Sequence, residues 1–440
     1  MPTTRRHFLK CASAALAAPL VISRSIFAQA GKVGANDRIG VAGIGVGRQG
    51  SYVFRSAYSQ PMAQPVAACD VFLPRAQKIA KDAGLDESQA TQEFRRILDR
   101  KDVDAIVTAT PEHWRALICV NAALAGKHIY AEKPMSLTVT EGRLMVRAAR
   151  KTGIVFQVGS MQRSMRANRI GCQYILDGGL GEIQEVIAAN YESPWYCALP
   201  AQPVPEGLDW ETWCGPTEPV PFHPDLFAPR ANPGWLSFRP YSGGEMTGWG
   251  THGLDQIQVA LGMQETGPTE ILVEGDALSL PTYEKPESSQ RGNRICSQPR
   301  LAYRYANGIT VWLGKNQDGK EIEGNRGGAI FVGKDAKMEI FRARIQTNPQ
   351  EIAEKLMKES PLQEMSHTRN WLECIQSGER PIDDCEFGHR TASLCHILNI
   401  ARLVGHSLKW DPEAERFVDC EEANAMLSRP YREGYVLPEV

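Results

Sequence analysis

The chain has 440 residues, 42% hydrophobic and 23% charged, an ordinary globular composition with length enough for two domains that each bury a core. Lysine and arginine number 49 against 51 acids; without residues 1–30, which hold Arg5, Arg6, Lys10 and Arg24 and no acid, the balance is 45 against 51, a net charge of −6. That excludes nucleic acid and an anionic membrane surface as partners, since each needs a concentrated basic face, and favours a small ligand.

Residues 1–30 read as an export signal: Arg5-Arg6-His7-Phe8-Leu9-Lys10, an apolar run from Cys11 to Ile22, and Ala28-Gln29-Ala30 as a small-residue cleavage site. The run is well short of the ~20 residues of a membrane span, which favours a cleaved signal over the alternative of an uncleaved membrane anchor, and no membrane attachment is expected after cleavage. Paired arginines before Phe-Leu-Lys resemble the twin-arginine signal, which implies the twin-arginine (Tat) export machinery as a partner and a periplasmic destination. Of eleven cysteines one lies in this signal, and the other ten form no Cys-x-x-Cys pair, so they read as buried or free thiols.

Residues 31–160 read as a parallel α/β domain. Arg38 to Ile44 is a strand that runs into Gly45-Val46-Gly47-Arg48-Gln49-Gly50, a Gly-x-Gly-x-x-Gly turn opening a helix, with Gly43 and Gly45 offering a competing register. Such glycines permit a tight turn, close approach of a pyrophosphate and close helix packing. A second strand from Pro65 ends in Asp70, placed to bind ribose hydroxyls and to favour NAD over NADP, or else to cap the helix opening near Pro74. Val103 to Ala109 is a buried strand, and Thr110-Pro111-Glu112 opens a helix as N-cap, first-turn proline and acid at the positive dipole end. His128 to Ala131 is the next strand, and it delivers Glu132-Lys133-Pro134 to the carboxyl edge of the sheet, where ligands bind. Thr138 and Glu141 form a capping box for a helix ending near Gly153.

Thr110 to Trp114, Ala125 to Ile129, Glu132 to Pro134 and Val158 to Gln162 occur together and in order, and residues 38–163 thereby resemble the glucose–fructose oxidoreductase, inositol dehydrogenase and rhizopine-catabolism (Gfo/Idh/MocA) family. The resemblance implies a Rossmann domain followed by a domain with an open, largely antiparallel sheet. It also implies that Lys133 contacts substrate and cofactor, and that His113 and Gln162 line the nucleotide crevice. Gly45, Gly47, Arg48, Gln49, Gly50, Asp70, Thr110, Pro111, Glu132 and Lys133 complete the expected cofactor contacts.

Residues 161–365 are expected to form the substrate domain, with strands near 182–191, 269–274, 300–305, 309–313, 328–332 and 337–341 and a hairpin turn at Ala306-Asn307-Gly308. Its open sheet offers a face for homo-oligomer formation. Residues 194–240 hold eleven prolines around Trp195, Trp210, Trp213 and Trp235, whose rings either stack on a sugar or pack the loop itself. Gly243 to Asp255 leads into a helix with His252 near its start, either a proton acceptor or a structural histidine. The family resemblance implies the first role, with Asp255 following the histidine; Tyr191, Trp195, Trp249 and Asp255 are expected beside the substrate. It also exposes a departure: many family dehydrogenases carry an acid four residues before this histidine, and this chain has Gly248. Residues 366–440 read as helices and a tail packing back on the core. Asp383, Asp384, Glu386, His389 and His396 lack ligand spacing, so no metal is expected.

The function these readings imply is oxidation of a CH–OH group of a sugar or polyol with a tightly held NAD, Lys133 polarising the oxygen and His252 taking the proton. The alternatives are a redox-neutral glycosidase, lyase or epimerase that oxidises transiently, and a dinucleotide-binding protein without turnover.

Overall fold

Six short strands open the architecture of the protein, described in a computed structural model for residues 38–228, 234–285, 295–322 and 326–440. The expected signal, residues 1–30, lies outside the described residues. The strands are β1 (Ile39–Ile44), β2 (Ala63–Cys69), β3 (Ala90–Thr91), β4 (Ala105–Thr108), β5 (His128–Ala131) and β6 (Phe156–Val158). They pair in parallel in the order β3-β2-β1-β4-β5-β6. Helices cover both faces, which is why β1, β4 and most of β5 are buried at every position and read as unbroken small or branched apolar runs. The order reverses between β1 and β4, and there the carboxyl ends of the strands leave a crevice. Gly43 falls inside β1, so the turn takes the register that begins at Gly45.

The helix expected after Thr110 spans Glu112–Leu124, with Pro111 in the N-cap place and no side-chain cap, so Thr110 sits one residue further out than the sequence pattern suggests. The capping box holds: Thr138 Oγ1 accepts from the Glu141 backbone N–H at 3.2 Å, and the helix Val139–Thr152 ends on Gly153 in the left-handed region.

Among the described residues a second sheet has nine strands, and all six expected ones are present within two or three residues at their ends. It is mostly antiparallel, with one parallel pair between Ile183–Ala188 and Thr310–Leu313. Arg344–Asn348 extends one edge. Leu408–Asp411 and Arg416–Val418 extend the other, so residues 366–440 supply strands to this sheet as well as helices. One face of the sheet packs on Arg166–Leu176, Gly250–Ala260 and Cys385–Val404 through Val186, Ile271, Leu254, Ile257, Leu394 and Leu398. Helix Cys385–Val404 also packs on Val139–Thr152, which ties the two domains together. The ten described cysteines other than Cys11 are all free thiols.

Candidate active site at the junction of the two domains

Gly45 has φ +73°, a conformation a side chain would strain, and it turns the chain from β1 toward the helix Arg48–Tyr58. A Cβ on Gly50 would collide with the Gly45 carbonyl oxygen, whereas one on Gly47 would meet nothing nearer than an Arg75 nitrogen at 3.8 Å. The outer glycines therefore shape the turn and the middle one keeps space open above it. That space belongs to a crevice of about 420 Å³ whose floor includes Gly45, Gly47, Arg48, Gln49, Asp70 and Thr110. Pro111 lines it too. Thr212, Trp213, Phe227 and Trp235 of the proline-rich segment close over it.

Asp70 follows the end of β2 and is 4% exposed. Its Oδ1 accepts from the Phe72 backbone N–H at 3.0 Å and from Arg75 at 3.2 Å, while burial pushes its carboxyl above the usual range against the pull of Arg75. The Arg75 guanidinium lies 5.4 Å from the Phe72 ring centre and 5.2 Å from that of Phe227. Asp70 therefore lines the crevice and braces the turn after β2, but it does not cap the next helix, Leu73–Asp82, which has Phe72 in the N-cap place and no side-chain cap.

Glu132, 4% exposed, accepts a hydrogen bond from the Gln49 amide at 2.9 Å, joining the strand end of β5 to the glycine turn. Lys133 follows, half-buried, and its Nζ donates to the Gly248 carbonyl oxygen at 3.1 Å. Gly248 ends the short helix Glu245–Gly248, Trp249 follows, and helix Gly250–Ala260 carries His252, which is 7% exposed and 5.7 Å from the Trp249 ring centre. Where many family dehydrogenases place an acid, a backbone carbonyl takes the lysine.

Glu112, expected only to complement a helix dipole, has a larger part. Its carboxylate is 1% exposed and accepts from Ser242 Oγ at 2.6 Å, the Gly243 N–H at 2.9 Å and Thr247 Oγ1 at 3.3 Å. Thr251 Oγ1 in turn donates to the Thr247 carbonyl at 2.7 Å. A helix that starts at the crevice is thereby tied to the segment leading into the His252 helix. Burial pushes the Glu112 carboxyl up to about 7, opposed by Arg115 and these donors. Nothing local in Thr-Pro-Glu signals this, because the partners lie about 130 residues away.

Several expected contacts are corrected. Asp255 is 1% exposed and paired with Arg163 Nη2 at 2.6 Å and Thr391 Oγ1 at 3.1 Å; a buried carboxylate needs a charged partner, and this one is turned to Arg163 rather than to a substrate. Asp383 lies 3.4 Å from the same guanidinium, and burial lifts its carboxyl. Tyr191 is fully buried behind Gly250 and Gly253 of the His252 helix, with its hydroxyl donating to the Arg326 carbonyl at 3.3 Å. Trp195 is 2% exposed in a cluster with Trp213, Phe238 and Tyr241, so its ring packs the loop instead of stacking on a sugar. His113 is enclosed beneath the crevice cover, Nε2–H donating to the Trp213 carbonyl at 2.9 Å, and burial lowers it to about 3 and keeps it neutral. Gln162 is also enclosed and donates to the Gly327 carbonyl at 2.7 Å. These five hold the walls and do not face the space between them.

Comparison with known proteins follows the same division. A model described as "Oxidoreductase family, NAD-binding Rossmann fold" matches residues 38–160, and one described as "Oxidoreductase family, C-terminal alpha/beta domain" matches residues 180–437. Levoglucosan dehydrogenase of Pseudarthrobacter phenanthrenivorans is 34% identical over 130 residues, 30% of this chain and 32% of that protein. Glycosyl hydrolase family 109 protein 2 of Shewanella sp. strain ANA-3 is 36% identical over 112 residues, 24% of this chain and 25% of that protein. The matches thus span a quarter to a third of these relatives. A solved levoglucosan dehydrogenase in complex with NADH and L-sorbose superposes with a TM-score of 0.56 at 18% identity, covering 87% of this chain and 98% of the other, a likeness of fold.

Proposed function

The chain belongs to the Gfo/Idh/MocA oxidoreductase family, and from that premise we propose that it is an NAD-dependent oxidoreductase acting on a CH–OH group of a sugar or polyol. The observation that carries the reading is the Lys133–Gly248 hydrogen bond, which brings the lysine of the first domain to the start of the histidine helix of the second. The residues fit a dinucleotide. Gly47 leaves room above the turn for a pyrophosphate, the helix Arg48–Tyr58 opens there with no side-chain cap on its first N–H groups, and Asp70 lines the same crevice, which supports it as the partner of an adenosine ribose. When bound, the nicotinamide supplies the hydride acceptor.

The chain's own groups do the rest. Lys133 holds the substrate oxygen and stabilises negative charge developing on it. His252 takes the hydroxyl proton. The Gln49–Glu132 bond ties the glycine turn to the end of β5, and Glu112 ties its helix to the segment leading into the His252 helix, which supports a fixed placement of both groups.

A second reading is favoured by Gly248. Without the acid that many family dehydrogenases carry there, net dehydrogenation loses part of its proton relay, whereas a cycle of oxidation, elimination next to the transient ketone and reduction back releases no reduced cofactor. The similarity to a glycosyl hydrolase family 109 protein supports that cycle. Export through the twin-arginine route, suggested by Arg5 and Arg6, adds to both readings, because a protein working outside the cytoplasm must retain and regenerate its NAD.

The test is to denature purified protein, identify released nucleotide, and then supply sugars, polyols and glycosides while following absorbance at 340 nm and product release. Net formation of NADH with a sugar or polyol supports the dehydrogenase. Glycoside cleavage with no net NADH selects the redox-neutral cycle. Absence of bound or bindable NAD contradicts both, whereas bound NAD with no turnover of any of these compounds leaves a dinucleotide-binding protein.

A further inference from the structure

A second cavity, of about 360 Å³, shares no lining residue with the dinucleotide crevice. It lies against one face of helix Cys385–Val404, formed by His396, Asn399, Ile400 and Leu403 at helical spacing. Leu137 and Leu280 add apolar surface, and the loops at Ser193, Arg239 and Ser428 complete the wall. Its walls are already braced. Ser193 Oγ donates to Asn399 Oδ1 at 2.6 Å, the Asn399 amide donates to the Gly243 carbonyl at 2.8 Å, and Arg402 donates to Ser193 Oγ at 3.2 Å. The cavity is therefore preformed and of the size that takes a small molecule.

Its charge is one-sided. Arg239 and Arg429 line it, and no described lining residue is a carboxylate. Arg429 is committed to Glu141 at 2.7 Å and to the His113 carbonyl at 2.6 Å. The half-buried Arg239 guanidinium forms no hydrogen bond or ion pair with a described residue. It lies near enough to His396 to oppose protonation, and burial lowers that histidine to about 4, so His396 is neutral and donates Nε2–H to the Ser136 carbonyl at 3.0 Å. An acid-free cavity with a poised guanidinium attracts an oxyanion, its hydroxyl and amide groups suit a polyol, and its leucine side suits the C–H face of a ring.

We propose that this cavity is a second ligand site, separate from the dinucleotide crevice, for a small carbohydrate bearing a carboxylate or phosphate, with Arg239 taking the anionic group. The experiment is calorimetric titration of the nucleotide-loaded protein with glucuronate, glucose 6-phosphate, glucose and inorganic phosphate. Loading the crevice keeps the probes from its pyrophosphate place. At least one charged sugar binds at least tenfold more tightly than glucose and than inorganic phosphate. Arg239→Gln weakens that binding at least tenfold, Arg239→Lys weakens it less, and Lys133→Met leaves it unchanged. Charged sugars no tighter than glucose overturn the site. Full affinity in Arg239→Gln, checked for folding by circular dichroism, also overturns it. Loss of binding in Lys133→Met assigns the sugar to the catalytic crevice instead, and inorganic phosphate as tight as the sugars leaves an anion site and overturns the carbohydrate assignment. If Arg239→Gln fails to fold, the four-probe comparison on the unaltered protein and Arg239→Lys decide.

Discussion

Lys133 Nζ donates to the Gly248 carbonyl oxygen across 3.1 Å, although 115 residues separate them. The contact joins the strand end of β5, where a parallel sheet presents ligand-binding groups, to the start of the helix that carries His252. Its acceptor is main chain, so it does not depend on a side chain at position 248. The departure from an acid at that position thus removes a side-chain relay and leaves the lysine held.

Glu112 predicts a pH effect. Its carboxyl, ordinarily near 4.5, is raised to about 7 in the folded protein, so its contribution is fully present below about 4.5, where both states are protonated. The contribution is lost as pH rises through about 7, because the unfolded chain ionises first. Glu112→Gln keeps one acceptor oxygen, for the Gly243 N–H, turns its amide N–H to the Ser242 hydroxyl oxygen, and removes the titration. Thermal melting at several pH values checks this: the stability of the unaltered protein relative to Glu112→Gln falls between pH 5 and pH 8, by up to ~3 kcal/mol at 1.36 kcal/mol per pKa unit. A difference independent of pH contradicts the assignment.

The glycine turn separates folding from binding. Gly50→Ala drives a Cβ into the Gly45 carbonyl and should destabilise by roughly 1–3 kcal/mol, as overpacking does. Gly47→Ala meets open space, so its melting temperature should stay within the range of ordinary surface changes while NAD affinity falls at least about tenfold. Titration with NAD and thermal melting measure both. Equal loss of affinity and stability in Gly47→Ala would show that the space above it is not the cofactor's.

Asp70 and Arg75 set opposite preferences. Asp70→Ala removes the charge that repels a 2′-phosphate and leaves Arg75 to attract it, so the ratio of NADP to NAD affinity rises. Arg75→Ala leaves Asp70 unpaired, and the ratio falls. Fluorescence titration with both nucleotides reads the two ratios; movement in the same direction rules out the pair as the selector.

The first domain was legible because its signals are local. A buried strand, a glycine turn and an acid just past the next strand all fall between residues 38 and 70, and Glu132-Lys133-Pro134 sits where β5 must end. The second domain's strands carried the same short-range signal, while Leu408–Asp411 and Arg416–Val418 gave no sign that they join its edge, since pairing partners are chosen by the folded sheet. The site was legible at its ends and hidden in between. Asp255 is turned away from the crevice by Arg163, 92 residues distant, and Glu112 is buried by Ser242 and Gly243. Trp213 covers the crevice because a proline-braced loop folds back over the first domain. Each is a long-range pairing that residue type and spacing do not encode.

The most direct test of the account is Lys133→Met, with turnover and bound nucleotide measured on the same preparation. A group that stabilises charge only as the reaction proceeds should cost at least ~10²-fold in kcat/KM when removed, with nucleotide content unchanged. Unaltered turnover would remove Lys133 from the chemistry and contradict the account.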